Sequence, residues 1–249
     1  MIVSVITATY NRAATIVRAL NSVRRQTYSN IQIVVIDGAS QDDTVNLVAP
    51  LITPKDIVYS APDNGIYDAL NKGVELSCGD VIAFMHSDDV YFDDDVLVGV
   101  MEIFGDGNID IVYGDVCFFA ADNENKIIRT YRSDTLSEAN LAWGKMPAHP
   151  AIFIRRRVYE EIGCFKTNFS IAADYEFLCR LVKNYQFNAV YLPSVLVRMQ
   201  VGGMSTGGLK NTLLLNKEVY RALSDNKINS NILMILSKYP SKILQFLKK

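Results

Sequence analysis

The chain has 249 residues, of which 49% are hydrophobic and 21% are charged, and its net charge is −2. This composition excludes disordered, collagen-like and low-complexity proteins, and the near-neutral charge argues against a nucleic-acid partner. The four cysteines form no C-x-x-C pair, which argues against a zinc site or a disulfide framework. We therefore expect four buried, reduced thiols, at Cys78, Cys117, Cys164 and Cys179.

The first half of the chain alternates short β-branched runs with segments of helical spacing. Strands are predicted at residues 2–7, 31–36, 56–59 and 81–85. Helices are predicted at residues 14–23, 44–48 and 66–76. Because each strand is almost continuously apolar, the pattern predicts a parallel sheet with helices on both faces. The N-terminus lacks a basic leader and a cleavage site, so we interpret it as the first strand, not a signal peptide.

The second half is less regular. Strands are predicted at residues 110–113 and 116–120 around a Gly-Asp turn, and then at residues 150–154 and 188–192. Helices are predicted at residues 157–162, 175–185 and after a Gly-rich loop at 201–208. We find no repeat, no linker and no apolar run of the ~18 residues that a membrane span needs. The sequence predicts one compact domain of a soluble or peripheral protein.

Ligands of such sheets bind at the carboxyl ends of the strands, so the residues that follow each strand are candidates for a site. Asp88 and Asp89 follow the fourth strand. One or two carboxylates, completed by substrate phosphates, are how Mg²⁺ or Mn²⁺ is usually held. The alternative is that the pair only starts the next turn. Capping of the helix that follows is assigned to one of the acids at residues 93–95.

Two further acids are candidates. Asp37 follows the second strand, where a lone carboxylate can accept from a ribose hydroxyl or a base N–H, and the alternative is a turn-forming Asp-Gly. Asp174 lies at the start of a strong helix, where the alternative is a plain N-cap. The chain has no G-x-G-x-x-G, no phosphate-binding loop and no nucleophile elbow. A nucleotide-linked substrate would therefore be held by a metal and by side chains.

Five motifs in a fixed order now point to a family: SVITATYNR, IVVIDGASQDDT, PDNGIYDALNKG, GDVIAFMHSDD and AADYEFLCRL. They cover about residues 2–182, and HP at 149–150 and GGMS at 202–205 extend them. Together they resemble the family 2 glycosyltransferases of the GT-A fold, and PDNGIYDALNKG resembles bacterial enzymes of O-antigen, capsule or exopolysaccharide synthesis. The resemblance implies an α/β fold with a Rossmann-like, mostly parallel central sheet, helices on both faces, an irregular acceptor-side second half and a helical C-terminus.

The resemblance also assigns roles to individual residues. The implied substrate-binding residues are Thr9, Asn11, Arg12, Asp37, Asn71, Lys72, Asp88, His149, Gly202, Gly203 and Ser205. Among these, Asp37 would contact the uridine, and Asp88 would lie near the ribose or the sugar. Asp89 would be the direct metal ligand, with Asp88 as a second one, and Asp174 would be the catalytic base. The family motif commonly opens with Asp or Asn where this chain has His86, which we interpret as a neutral hydrogen-bonding residue and not a ligand.

The activity implied by the resemblance is inverting transfer of a hexose from UDP-glucose or UDP-galactose, with Mn²⁺ or Mg²⁺ as cofactor. The acceptor would be a polyprenyl-diphosphate-linked glycan in bacterial surface polysaccharide synthesis. Residues 1–225 would form the GT-A domain, with a nucleotide-sugar half at 1–105 and an acceptor half at 106–225. One alternative is a sugar nucleotidyltransferase, which would carry a Gly-rich basic loop after the first strand. Another is a non-catalytic nucleotide-sugar-binding module, against which the retention of Asp88, Asp89 and Asp174 argues.

Residues 226–249 form a basic amphipathic tail, with five lysines and no acid from Lys227 onward. Apolar residues recur there at roughly helical intervals. Two interpretations remain open: a helix pair that covers the core, or an interfacial helix held to the cytoplasmic leaflet by apolar burial and lysine attraction to anionic lipids. The predicted location is the cytoplasm, with peripheral attachment to the inner face of the membrane under the second interpretation.

Overall fold

The computed structural model describes residues 1–120, 123–133, 136–202 and 208–237. Within these ranges, nine strands form one sheet: β1 (Val3–Thr9), β2 (Ile31–Asp37), β3 (Ile57–Ser60), β4 (Val81–Phe84), β5 (Val90–Tyr91), β6 (Ile111–Ala120), β7 (Asn123–Tyr131), β8 (Ile152–Arg155) and β9 (Ala189–Gln200). The helices of the same ranges are α1 (Ile16–Arg24), α2 (Thr44–Val48), α3 (Ile66–Leu76), α4 (Val96–Ile103), α5 (Glu138–Ala142), α6 (Arg156–Ile162), α7 (Ala173–Asn184), α8 (Gly208–Asp225) and α9 (Ile232–Leu236). The predicted α/β fold is confirmed.

The strand order is β3-β2-β1-β4-β8-β6-β9-β5, and β7 pairs with β6. The first four strands along the chain pair in parallel, as predicted, and the antiparallel pair of β4 with β8 joins the second half to them. Thr9 lies opposite Asp37 at the ends of β1 and β2. The loops after these neighbouring strands therefore open on one edge of the sheet, which is where the candidate site lies.

Two apolar cores lie on opposite faces of the sheet. Alternate residues of β2 divide between them: Ile33 and Val35 belong to one core, and Val34 and Ile36 to the other. Helices α1, α2 and α4 pack on the first face, and α3, α6, α7 and α8 pack on the second. Each fully buried aliphatic side chain contributes roughly 1.5–3 kcal/mol relative to its exposed form. The predicted coverage of both faces is confirmed.

The turn predicted at the Gly-Asp pair of residues 114–115 is wrong. Strand β6 runs without a break through Gly114 and Asp115, and the bulge at this point lies in its partner β9, at residues 193–196. A Cβ added at Gly114 would lie 2.6 Å from Leu196 Cδ1, so the glycine makes room for that side chain. Pro193 lies in the same bulge, where a residue without an N–H costs no ladder hydrogen bond. The bulge also lets β9 continue well beyond residue 192, where the predicted strand ended.

The capping predicted for one of the acids at residues 93–95 holds for the position but not for the capping bond. Asp95 occupies the N-cap position of α4 but makes no side-chain capping bond. Its carboxylate accepts instead from Thr27 Oγ1, at 2.7 Å. The amide N–H of Leu97 donates to Gln26 Oε1, at 2.9 Å. A side chain from a distant loop therefore caps this helix.

The expectation of four buried cysteines holds only in part. All four thiols are free, and Cys117 and Cys179 are buried. Cys78 is exposed and Cys164 is half-buried, because both lie in turns outside the regular elements. The absence of disulfides agrees with the prediction from their spacing.

The described part of the tail packs on the domain. Ile228 and Ile235 are buried in the core that also contains α3 and α7. Ser230 Oγ donates to Ala142 O at 2.5 Å. Residues 226–237 therefore follow the core-packing interpretation, and the rest of the predicted tail, 238–249, lies outside the described residues. In the portion of the chain that is described, no helix combines the length and apolar character needed to cross a bilayer.

Candidate functional site

A cavity of about 530 Å³ opens at the carboxyl edge of the sheet. The polar and charged side chains of its lining come from parts of the chain that are far apart in the sequence: Thr9, Tyr10, Arg12, Asp63, Tyr67, His86, Ser87, Asp88, Asp89, His149, Asp174 and Gln200. Gly202 also lines it. The structure thus brings seven of the predicted site residues into one lining: Thr9, Arg12, Asp88, Asp89, His149, Asp174 and Gly202.

Asp88 and Asp89 occupy a turn between β4 and β5, closed by the Asp89 N–H donating to His86 O at 3.1 Å. The two acids therefore do start a turn, as the alternative interpretation predicted, but this backbone role does not account for their side chains. Asp89 is 2% exposed, and its Oδ1 accepts from the Gln200 N–H at 3.0 Å. Its Oδ2 is buried without a hydrogen-bond partner among the described residues. Desolvation, followed by the charge of Asp88, raises the pKa of Asp89 well above its ordinary value.

The unpartnered Asp89 oxygen fits a bound cation, which would compensate the buried charge. Within the described ranges, no group of three or more His, Cys, Asp or Glu residues could hold a metal alone. A Mg²⁺ or Mn²⁺ ion here would therefore depend on one or two carboxylates, with substrate phosphates supplying further oxygens. The residues present fit that arrangement, in which the unpartnered oxygen of Asp89 would be the ligand.

Asp174 lies in the first turn of α7, but it is not the N-cap, because Ala172 holds that position. The plain N-cap alternative is therefore wrong. Asp174 Oδ1 accepts from the Tyr175 N–H at 2.8 Å and lies 3.2 Å from Tyr67 OH. Desolvation raises the pKa of Asp174 to about 6, against the lowering effect of these two hydrogen bonds. A carboxylate with a pKa near the operating pH is suited to act as a general base.

A neutral histidine pair lies beside the acids. The His149 ring stacks on Phe84 at 4.9 Å between centroids and lies 5.8 Å from the His86 ring. Desolvation lowers the pKa of His149 to about 3, so the imidazole is uncharged at neutral pH. Its Nε2 is buried and has no partner among the described residues. His149 can therefore offer one uncharged hydrogen-bonding atom to a ligand.

Asn11 and Asp37 connect the loops behind the cavity and do not line it. Asn11 has a φ of 51°, and its Oδ1 accepts from the Gln41 N–H at 2.8 Å. Asp37 is fully buried and accepts from the Ser40 N–H at 2.9 Å and from Ser60 Oγ at 2.6 Å. The bond to Ser40 is the one that the turn-forming alternative predicts. The contact of Asp37 with a uridine stays a prediction.

Asn71 and Lys72 also lie outside the lining. The Asn71 amide donates to Phe165 O at 2.8 Å and accepts from the Phe165 N–H at 2.9 Å. Lys72 Nζ pairs with Glu75 Oε2 at 3.0 Å. Their donor-binding roles stay predictions, and those of Gly203 and Ser205 concern positions outside the described residues.

The reciprocal pair between Asn71 and Phe165 predicts a structural effect. We expect Asn71→Ala to lower the free energy of unfolding by about 1–3 kcal/mol, because it removes the partner of buried backbone groups. Thermal unfolding should show a loss of about 2–4 °C per kcal/mol, whereas Glu75→Ala, an exposed change on the same helix, should leave the melting temperature unchanged. An unchanged melting temperature together with a large rise in donor KM would favour the donor-binding role instead.

Sequence reasoning missed three residues: Tyr67 and Gln200, which line the cavity, and Glu218, which accepts from the backbone N–H groups of residues 170–172. Tyr67 lies within PDNGIYDALNKG and could have been singled out as a polar aromatic on the buried stripe of α3. Glu218 lies between Leu215 and Val219 on the apolar face of α8, and an acid on such a face is unusual. No sequence pattern could have identified Gln200, because it contacts Asp89 through its backbone N–H and not through its side chain.

Comparisons with known proteins agree with this geometry. The family model described as "Glycosyl transferase family 2" matches residues 4–163. A relative from Mycobacterium bovis BCG, a PGL/p-HBAD biosynthesis glycosyltransferase, is 28% identical over 97% of this chain and 91% of its own length.

Two solved structures share the fold. Staphylococcus aureus TarS 1–349 in complex with UDP-GlcNAc superposes with a TM-score of 0.69 at 17% identity, over 90% of this chain and 66% of that one. The mannosyltransferase PcManGT of Pyrobaculum calidifontis, in complex with GDP-Man and Mn²⁺, has a TM-score of 0.68 at 20% identity, over 92% of this chain and 65% of that one. This chain spans less than two thirds of either, and the likeness identifies its architecture as the GT-A fold.

Proposed function

The chain belongs to glycosyl transferase family 2 and is a glycosyltransferase, and from this premise we propose that it transfers a hexose with inversion from UDP-glucose or UDP-galactose to a glycan hydroxyl. The observation that carries the proposal is that one cavity is lined by both Asp174 and the Asp88-Asp89 pair. A base for the acceptor and acids for a metal–diphosphate group are the two functions that such a transfer needs.

The donor side of the cavity would be formed by the loop after β1 and the turn after β4. Thr9, Tyr10 and Arg12 line it from the first loop, and Arg12 offers a cation for a phosphate. Asp88 and Asp89 would hold Mn²⁺ or Mg²⁺ together with the diphosphate. The complexes of TarS with UDP-GlcNAc and of PcManGT with GDP-Man and Mn²⁺ support a nucleotide sugar and a divalent ion as a class.

In the proposed reaction, Asp174 takes the proton from the acceptor hydroxyl as that oxygen attacks the anomeric carbon. The bond from that carbon to the diphosphate breaks, and the nucleoside diphosphate leaves from the opposite side. When bound, the divalent ion would supply charge stabilisation for this leaving group. Tyr67 orients the Asp174 carboxylate, and uncharged His149 can hydrogen-bond the substrate without adding a charge.

The raised pKa of Asp174 predicts the pH dependence of the rate. The base must be ionised, so kcat should be high above its pKa and fall as the pH drops below about 6. A normal aspartate would keep its charge down to about pH 4. A profile of kcat from pH 4.5 to 8.5 measures this, and a rate that stays constant down to pH 4.5 would contradict Asp174 as the titrating base.

We further propose that the acceptor is a lipid-diphosphate-linked glycan and that residues 238–249 help to hold the protein at an anionic membrane surface. Four of the five lysines of the tail lie in this segment, with no acid. Each lysine near such a surface contributes up to about 1 kcal/mol. Exposed Ile232, Leu233 and Leu236 precede the segment directly and add apolar surface.

Deleting residues 238–249 should weaken binding to anionic vesicles while turnover of a short soluble acceptor continues. The deletion starts after Ile235, because that side chain is part of the core. Co-sedimentation at low salt measures the binding, and a full-length variant with the four lysines replaced by glutamine separates charge from length. Vesicle binding that equals that of the intact chain would exclude the membrane role.

A panel of nucleotide sugars tested with lipid-diphosphate-linked GlcNAc and GalNAc acceptors addresses the proposal as a whole, with products identified by mass spectrometry. We expect one hexose to be added from a UDP-sugar. Release of pyrophosphate from a nucleoside triphosphate and a sugar phosphate would favour the nucleotidyltransferase alternative. Tight donor binding without transfer or hydrolysis would favour the non-catalytic module.

A further inference from the structure

Helix α8 places a buried carboxylate against the backbone that leads into α7. Glu218 is 7% exposed. It accepts from the N–H groups of Ser170 at 2.8 Å, Ile171 at 2.9 Å and Ala172 at 3.0 Å. Three consecutive amides thus converge on one side chain that is 46 to 48 residues away in the sequence.

These amides are what compensates the burial of Glu218. No ion pair joins its carboxylate to a basic side chain in the part of the chain that the structure describes. A buried charge is tolerated when hydrogen bonds replace its hydration. The positive end of the α7 dipole, which begins at Ala173, lies next to the same segment and favours a negative group there.

Tyr67 also contacts this segment. Tyr67 OH lies 2.7 Å from Ile171 O and 3.2 Å from Asp174 Oδ1. Ile171 is therefore fixed through its N–H by Glu218 and through its carbonyl by Tyr67. Ala172, the N-cap residue, is fixed by Glu218, and Asp174 follows two residues later.

We propose that Glu218 is a positioning residue for Asp174: it fixes residues 170–172 and, through them, the direction in which the Asp174 carboxylate enters the cavity. The inference rests on the proposed role of Asp174 as the base. Glu218 does not line the cavity, so it acts through the backbone and the base and not on the substrate.

If Glu218 acts on Asp174 in this way, changing Glu218 or Tyr67 should shift the pH dependence of kcat. The charge of Glu218 raises the pKa of Asp174, whereas the hydrogen bond from Tyr67 lowers it. Asp174 also accepts from the Tyr175 N–H of its own helix. His149, which lines the same cavity, is uncharged near neutral pH. Removing the charge of Glu218 and removing the hydroxyl of Tyr67 should therefore move the acid limb of the kcat profile in opposite directions.

The test compares Glu218→Gln, Tyr67→Phe and the control Asp225→Asn, which removes an exposed carboxylate from the same helix. In Glu218→Gln, we expect kcat to fall by about 10-fold, since small misplacements of a reacting group can cost up to ~10²-fold. Its donor KM should stay within about twofold, and its acid limb should move to lower pH. In Tyr67→Phe, the acid limb should move to higher pH. Asp225→Asn should match the parent protein in all three.

Hydrogen exchange gives a readout that does not depend on activity. In Glu218→Gln, the amides of residues 170–172 should exchange faster, because the glutamine side chain offers only one accepting oxygen. In Asp225→Asn, their exchange should be unchanged. Exchange at parental rates in Glu218→Gln would overturn the inference, as would acid limbs that stay in place in both Glu218→Gln and Tyr67→Phe. A merely structural role would instead lower kcat, donor affinity and melting temperature together, and this outcome also overturns the inference.

Asp174→Asn, measured in parallel, separates a failure of the proposed base, Asp174, from a failure of the proposed positioning residue, Glu218. If that variant transfers sugar at the parental rate, the proposed function of Asp174 fails. If it is inactive while Glu218→Gln behaves like Asp225→Asn, the base stands and only the positioning role fails.

Discussion

Replacing Asp89 with alanine should lower the rate of sugar transfer by roughly 10³-fold or more. The metal contributes several kcal/mol of charge stabilisation to reactions of this kind, and about 1.4 kcal/mol corresponds to a factor of ten in rate. Of the two neighbouring acids Asp88 and Asp89, only Asp89 has a buried carboxylate oxygen, Oδ2, without a hydrogen-bond partner among the described residues. Its removal should therefore abolish metal-dependent turnover, measured as product formed at saturating donor and Mn²⁺.

The same change should not unfold the protein. Asp89 is a buried acid whose desolvation is only partly compensated by the Gln200 N–H, so its loss removes an unfavourable burial. We expect an equal or higher melting temperature, with Asp94→Ala, an exposed acid five positions later in the chain and beyond β5, as the control. Robust activity of Asp89→Ala, or full turnover in excess EDTA, is incompatible with this account.

Asp174→Asn should lower transfer by ~10²-fold or more, the scale that loss of a general base reaches. The asparagine keeps the shape of the side chain and an oxygen for the Tyr175 N–H. It removes the group that accepts the proton. Donor affinity, measured by calorimetry, should therefore stay within about twofold, while kcat falls.

The outcome that speaks against this role is a joint loss of donor affinity and folding. Such a result would mean that Asp174 supports the start of α7 and does not act in the chemistry. Tyr67→Phe provides an internal comparison, because it leaves the Asp174 carboxylate in place and removes the contacts of the Tyr67 hydroxyl with Asp174 and with Ile171 O.

The first half of the fold could be predicted because its signals are local. The predicted bounds of α2 and α3 coincide with those in the structure, and the four predicted strands differ from the observed ones by at most two residues at either end. Continuous apolar runs between polar turns leave few other arrangements for such a chain. The rule that ligands bind at the carboxyl ends of strands then predicted Asp88 and Asp89 correctly as lining residues.

The second half could not be predicted to the same degree because long-range contacts decide it. The continuity of β6 depends on its pairing with β9, about 80 residues later, and Gly114 within it has the local signature of a turn. Among the described residues, strand β7 pairs only with β6, and its neighbouring Ile127 and Ile128 are both exposed, so these residues show no buried alternating pattern. Helix α4 is capped by Gln26 from a distant loop, which no local capping rule detects.

The predicted site residues divide into those that line the cavity and those that hold the loops behind it. Several residues that line the cavity come from positions where a strand ends and a loop begins, as at Thr9 and Asp89, whereas Tyr67 and Asp174 lie within α3 and α7. Asn71 also lies within α3, but its amide is used by the backbone of Phe165. A motif match alone does not distinguish a side chain that faces the cavity from one that braces the loops behind it.

The configuration of the new glycosidic bond tests the central claim most directly. A single displacement with Asp174 as the base requires the product to have the anomeric configuration opposite to that of the donor sugar. Proton NMR of the purified product, made with a UDP-sugar and a soluble acceptor, measures this configuration. We expect complete inversion. Retention of the donor's configuration would contradict a single displacement and, with it, the role assigned to Asp174.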